Sequence, residues 1–301
     1  MQTSSDKKIE IRLARVTTTR DKPVEIAFLD ELSPEEFRKL EDASNTIEEL
    51  HSIRRLRDFV VLNDEDLLNM LQRSLDDLIS KAGYWNGIKR NDNQIVFDNS
   101  NRLLLNYLSS IRTFIDHSNT VLKRKFGENS KTYLEYKNIL SVFYDNSFAY
   151  RFFYKLRNYA QHVGLPLDSF HFSTQYNHEE NSLRGEMIVV FDRDQLLLRY
   201  DSWGTVKQDL KKLDAEFDVI PLMFEMTHNI KEIERNIELF HKSELLEAID
   251  YLTHIAGHLR DNESEIIVAF DFKLKENGEL ASYSTKPILF DIMDDIRKSL
   301  E

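Results

Sequence analysis

The chain has 301 residues, 41% of them hydrophobic and 11% aromatic, with only 8 Gly and 5 Pro, a composition that builds a large packed core and excludes a long flexible linker. It has no Cys, which removes disulfides, thiolate catalysis and cysteine metal sites and fits a reducing cytoplasm. A formal net charge of −12 argues against a protein that coats nucleic acid indiscriminately, so any contact with a polyanion is confined to one local patch.

Residues 8–30 alternate polar and apolar through Ile9, Ile11, Leu13 and then Val24, Ile26, Phe28, on either side of Arg20-Asp21-Lys22-Pro23, which predicts two strands. Ser33-Pro34-Glu35-Glu36 combines an N-cap, Pro at the first helical position and acids in the first turn, and starts a helix expected to run, with a break, to about residue 57. Asn63 is read as the cap of a further helix over 64–82, with Leu67, Leu71, Leu75 and Leu78 as its stripe and Gly83 closing it. Residues 83–93, with Asn86-Gly87 and Asn91-Asp92-Asn93, read as a loop and residues 94–97 as a short strand. A long helix over 99–126 follows, its core stripe including Leu103, Tyr107, Ile111 and Phe114, and its last turn carrying Lys123, Arg124 and Lys125 before Gly127. Residues 131–163 form the next helix, and the short connection makes the two an antiparallel hairpin.

After Pro166 the period changes. Phe170 and Phe172, then residues 187–191 and 196–200, predict a three-strand antiparallel unit. Helices resume over 206–217 and 222–259. Residues 266–274 and 280–284 flank Asn277-Gly278, a strong hairpin signal, and a short helix from about Leu289 ends the chain. Strands near both ends of a helical middle predict that they pair in one sheet. The expectation is a single integrated α+β domain, predominantly α, with an antiparallel helical hairpin core and flanking antiparallel strands, comprising segments 1–62, 63–166 and 167–301. No apolar run approaches the ~18 residues that cross a bilayer, and no apolar stretch follows the charges of MQTSSDKK, so neither membrane insertion nor secretion is expected.

The stretch 148–166, FAYRFFYKLRNYAQHVGLP, concentrates the chemistry. At about 100° per residue, Phe148, Ala149, Phe152, Phe153, Leu156, Tyr159, Ala160 and Val163 share one arc, which is core. Arg151, Lys155, Asn158 and His162 stack in a stripe beside it, with Arg157 and Gln161 further round. Residues 146–167 contain no Asp or Glu, so the sign of the charge is locally reversed and the face suits a phosphate. Gly164 is expected in the left-handed conformation that ends a helix, with Pro166 preventing its resumption. His162 then sits in the final turn, where the partial negative charge favours imidazolium.

Arg157-Asn158-Tyr159-Ala160-Gln161-His162 resembles the R-N-x-x-x-H signature of the HEPN superfamily, helical proteins many of which are metal-independent ribonucleases. The resemblance covers this helix and the long helix before it. It implies a hairpin that dimerises so that two motifs form one cleft, with Arg157 and Asn158 holding the scissile phosphate and His162 serving in acid/base transfer. The nucleophile is then the substrate's own 2′-hydroxyl, which DNA lacks. Cleavage would leave 2′,3′-cyclic phosphate ends, in the manner of cellular toxins and antiviral defence effectors, with no cofactor and with a cognate inhibitor or regulator as a further partner. The bare Arg-to-His spacing arises by chance roughly twice in such a chain. It occurs also at Arg112 to His117, without the Asn, and at Arg235 to His241, among Glu232, Glu234, Glu238 and Glu244, which would repel a phosphate. The chain departs from the family's nucleotidyl-transfer-regulated toxins, which carry Tyr two residues after the His, where this chain has Gly164. Arg151, Lys155, Gln161, Lys123, Arg124 and Lys125 are the candidate RNA contacts, the last three as a second set beside the Arg157 face, balanced against a plain helix-dipole role. Tyr159 reads as core.

Two other functions stay open. One keeps the fold without the reaction, as a non-catalytic module that binds RNA or protein. The other is a metal-dependent enzyme using Asp250, His254 and His258, whose i, i+4, i+8 spacing lines one helix face, although the residues between the two His are Ile-Ala-Gly and supply no catalytic Glu. Asp291, Asp294 and Asp295 gather at a helix start, where acids are favoured in any case. Phosphate-loop, dinucleotide and serine-hydrolase signatures are absent.

Overall fold

The computed structural model describes residues 9–17, 24–82, 89–167, 169–179, 182–260, 265–275 and 279–301. In chain order these form β1 (Ile9–Thr17), β2 (Glu25–Glu31), α1 (Pro34–Ala82), α2 (Arg90–Phe126), α3 (Lys131–Asn146), α4 (Phe148–His162), β3 (Ser169–Asn177), β4 (Ser182–Asp192), α5 (Arg193–Arg199), α6 (Val206–Leu210), β5 (Glu216–Asp218) and α7 (Ile220–Ala256). A 3₁₀ turn (Gly257–Leu259), β6 (Glu265–Leu274), β7 (Leu280–Pro287) and α8 (Phe290–Leu300) complete them. The fold is α+β and predominantly α, with antiparallel sheets. Two compact units emerge, Met1–Ser52 with Glu238–Glu301, and Ile53–Ile237, and the boundaries fall inside α1 and α7.

In the first unit the two ends of the chain do pair in one sheet, of order β2-β1-β6-β7. β1 runs antiparallel to β6 from Ile9 opposite Lys273 to Thr17 opposite Glu265. Period-2 alternation sends Ile11, Leu13, Ile267 and Ala269 to one buried face. The other face gathers Ala14, Val268 and Phe270, with the Phe28 ring edge-on to those of Phe270 and Phe272 at 5.6 and 5.4 Å. The predicted turns at Arg20 to Pro23 and at Asn277-Gly278 lie outside the described residues.

In the second unit α2 runs antiparallel to α3 and α4. The Tyr133 hydroxyl donates to Asn119 at 2.9 Å, the Tyr107 and Phe153 rings meet edge-on at 5.6 Å, and Asn101 bonds the backbone of Leu167. The hairpin's second arm is two helices, not the single one expected over 131–163. It breaks at Ser147, which leaves helical geometry and caps α4, its hydroxyl accepting from Tyr150 N at 3.0 Å. The same hydroxyl donates to Glu225 at 2.5 Å and accepts from the buried Asn229 amide at 2.9 Å, so a single Ser ties the start of α4 to α7. Tyr107 also reaches α7, donating to the Met223 carbonyl at 3.0 Å and sharing a 2.9 Å bond with Thr227, which donates to buried Asp64 on α1 at 2.9 Å.

Several local expectations are corrected. Residues 94–97 are helix, because α2 begins at Arg90 with a capping box in which Lys89 N donates to Asp92 at 2.8 Å. Asn63 caps nothing. α1 is continuous, and the Asn63 amide bonds the Phe59 carbonyl at 2.6 Å. Residues 196–200 fall mostly in α5, capped by Asp192, whose carboxylate accepts from Gln195 N at 2.9 Å; so short an apolar run carries no periodicity to separate strand from helix. The sheet does have three strands, β3-β4-β5, but its third is Glu216–Asp218, which overlaps the end of the helix expected over 206–217.

Ser147→Ala is expected to destabilise the protein by about 2–3 kcal/mol, one lost cap plus the buried Asn229 amide left without this bond, read from denaturant melts. Burial raises the pKa of Asp64 above its ordinary 3.8, so the fold favours the protonated acid. That contribution is present below the ordinary pKa and is lost as pH rises through the raised folded value. Asp64→Asn keeps the acceptor for Thr227 and removes the buried charge. It is expected to be more stable than the parent at pH 7, with the difference shrinking as pH falls through the raised folded value and levelling off below the ordinary 3.8.

Candidate functional site

Of the arc expected from the sequence α4 buries Ala149, Phe152, Phe153, Leu156 and Tyr159, and Tyr150 besides, whereas Val163, just past the helix end, is exposed. The Phe152 ring stacks on Trp203 at 5.9 Å and meets Phe191 and Phe217 edge-on at 5.2 and 5.7 Å, while Tyr159 stacks on the same Trp203 from the next turns at 5.9 Å. Tyr159 is fully buried, so it is core, not a platform for bases; its hydroxyl has no hydrogen-bond partner among the described residues. With this face fixed inward, the polar stripe is held along its flank.

His162 is the last residue of α4 and is exposed, as is Gln161; Lys155, Arg157 and Asn158 are half-buried. Arg157 Nη1 donates to Asn158 Oδ1 at 3.5 Å, a long bond that brings the two polar heads of the motif together. Arg157 and His162 remain about 140° apart around the helix, so within one protomer they reach a common phosphate only through the length of the arginine. The helix ends differently from expectation. Val163 N and Gly164 N both bond the Tyr159 carbonyl, at 2.8 and 3.4 Å, and Gly164 is not among the glycines of positive φ, which among the described residues are Gly127 and Gly204. At Gly204, φ of +61° opens a turn against the Lys155 side chain, where an added Cβ would lie 3.9 Å from Nζ.

Arg151 is not available to RNA. Its Nη1 donates to the carbonyls of Tyr144 and Asp145 at 2.7 Å each, closing the end of α3, and Nε and Nη2 bond Asp209 of α6 at 3.2 and 3.1 Å. The stretch is acid-free in sequence but acquires an acid in space. Asp209 lies 58 residues away, and no local pattern announces it. The pair is self-neutralised, and among the described residues Lys155, Arg157 and His162 have no carboxylate partner.

Lys123, Arg124 and Lys125 do not form a second set beside Arg157. Asn101, near the start of α2, holds Leu167, five residues after His162, through Leu167 N to Oδ1 at 3.0 Å and Nδ2 to the Leu167 carbonyl at 3.5 Å. Lys123 lies 22 residues along the same helix, roughly 33 Å away at 1.5 Å per residue. It pairs with Glu128 at 2.8 Å.

The alternative metal face is also dispersed. Asp250 is bonded by Arg297, and His258 leaves the helix in the 3₁₀ turn to meet Asp30 at 2.9 Å. Asp291 and Asp294 clasp Arg260 at 2.9 and 2.7 Å. Among the described residues no three His, Asp or Glu are disposed to hold a metal ion. No helix of the described residues is long and apolar enough to cross a membrane. Comparison of the chain with protein-family models, with curated proteins and with solved structures finds no match.

Arg151→Ala is expected to cost about 2–3 kcal/mol of stability through the lost carbonyl and carboxylate bonds. Lys155→Ala is expected to leave the melting temperature within about a degree or two and, if α4 contacts RNA as the resemblance implies, to weaken single-stranded RNA binding several-fold. Thermal melts beside filter binding of the two variants separate the roles.

Proposed function

We propose that the protein is a metal-independent endoribonuclease that uses Arg157, Asn158 and His162 on RNA. The observation that carries the reading is the outer face of α4. From Lys155 onward it is a cationic and amide stripe that has no carboxylate partner among the described residues, on an acidic protein, ending in an exposed histidine at the helix terminus, in the spacing that resembles the HEPN signature. In the reaction a 2′-oxygen bonds to the adjacent phosphorus as the bond to the 5′-oxygen breaks. One base takes the 2′-hydroxyl proton and one acid supplies a proton to the departing 5′-oxygen, which gives a 2′,3′-cyclic phosphate and a 5′-hydroxyl. Arg157 is suited to the charge that develops on the non-bridging oxygens, Asn158 to fixing the phosphate, and His162 to one of the two proton transfers.

A homodimer supplies the second histidine and brings an Arg157 and a His162 from different protomers to one phosphate, which removes the 140° separation within a single helix. A role as a toxin or antiviral effector in the cytoplasm rests on the resemblance alone, and so does a cognate inhibitor.

The test is incubation of purified protein with end-labelled RNA in EDTA. The expected result is cleavage with cyclic phosphate ends, no cleavage where a 2′-deoxynucleotide precedes the scissile bond, and a loss of at least 100-fold in His162→Ala at unchanged melting temperature. Dependence on added divalent metal, 3′-hydroxyl products or full activity in His162→Ala would refute it. Binding of RNA without cleavage would identify a non-catalytic module.

A further inference from the structure

Besides the polar stripe of α4, the second unit holds a groove of about 550 Å³ between the first turns of α2 and strand β3. Arg90, Asn93, Gln94 and Phe97 fall at i, i+3, i+4 and i+7 of α2 and so share one helix face. Phe170 and Phe172, two residues apart on β3, present their rings to one side of the sheet. The three Phe are half-buried, while Arg90, Asn93 and Gln94 are exposed. Arg90 has no carboxylate partner among the described residues. Gln94 donates its amide to Asp98 at 2.8 Å, and its carbonyl has no partner among the described residues. β3 is also an edge strand of its sheet.

We infer that this groove is a binding site for an unpaired nucleobase of a single strand whose backbone runs over α4. Flat aromatic walls, one unpaired cation and two side-chain amides are the chemistry that receives a base, with the π-face on Phe, the Watson–Crick or Hoogsteen edge on an amide and the phosphate near Arg90. The volume suits one nucleotide, within the range of small-ligand sites. An apolar peptide would find the rings but leave the arginine and the amides unused.

The site is also tied to α4. Phe97 is followed one turn later on the same stripe by Asn101, whose two hydrogen bonds to Leu167 anchor the segment joining His162 to β3. Phe170 is eight residues from His162, so the two lie at most about 28 Å apart. A short single strand spans both. The inference rests on the RNA reading of α4 for its choice of ligand, not for its binding site.

The experiment uses the full chain and fluorescent single-stranded oligodeoxynucleotides, which cannot be cleaved through a 2′-hydroxyl, so binding is read apart from catalysis. By anisotropy at fixed salt, a base-bearing strand is expected to bind at least tenfold tighter than an abasic strand of the same length and charge. Phe170→Leu and Phe172→Leu together keep apolar volume for folding but lose the π-face, and are expected to abolish the preference while the melting temperature holds. Arg90→Ala, on an exposed side chain, is expected to weaken both strands equally and to flatten the salt dependence. Equal binding of base-bearing and abasic strands overturns the inference, as does an undiminished preference in the double leucine variant. Loss of RNA cleavage with the base preference intact would remove the catalytic reading and leave the groove, and cleavage without a base preference would do the reverse.

Discussion

Burial of the α4 aromatic stripe against Trp203 is the constraint on which the site depends. Phe152 and Tyr159 lie on the same ring from positions about two turns apart, and Phe191, Phe217 and Tyr200 close around them. Each such pair contributes about 0.5–1.5 kcal/mol beyond the area it buries, whereas an exposed ion pair contributes about 0–1 kcal/mol. The rings therefore decide how α4 is rotated about its axis, and the charged residues take the direction left to them. Since the helix advances 100° per residue, fixing Phe152, Leu156 and Tyr159 inward also fixes Lys155, Asn158 and His162 as one line.

The charge of that line depends on what the fold brings beside it. Arg151 begins the stripe, yet α6 delivers Asp209 to it and α3 delivers two carbonyls, so a residue that reads as a phosphate contact is a brace between helices. What is left is a smaller patch at the C-terminal end of α4, where the helix terminus and the neighbouring polar groove face a molecule of net charge −12. On the proposed reading a polyanion would be repelled by most of this surface and held at this patch, so that binding would be local and strongly dependent on salt.

Much of this was legible in the residues. The buried arc of α4 follows from its spacing, and the pairing of the two chain ends follows from the alternation through Ile9, Ile11 and Leu13 and through residues 266–274. What was not legible came from contacts distant in sequence and from short segments. Asp209 could not be assigned to Arg151 by any local rule. Ser147 breaks a helix that looks continuous because its cap is completed by Glu225 and Asn229 on α7. The first turn of α2 was hidden by Asn91-Asp92-Asn93, a turn signature that here lies at a helix start, where Asp92 serves as the acid of a capping box. The spacing of Arg90, Asn93, Gln94 and Phe97 was nevertheless visible, and would have exposed a polar-aromatic helix face had the loop reading not been preferred.

The pairing of β1 with β6 has a consequence for how the chain is made. Its partners are separated by about 250 residues, and a ribosome adding roughly 5–20 residues per second takes on the order of 12–50 s to cover that distance. Through that interval β1 and β2 exist only as a two-stranded ribbon, too small to be stable alone, with the edge meant for β6 open to other chains. The contiguous Ile53–Ile237 unit emerges complete in the meantime, so the protein has an inherent order of assembly in which the sheet that unites the two ends forms last.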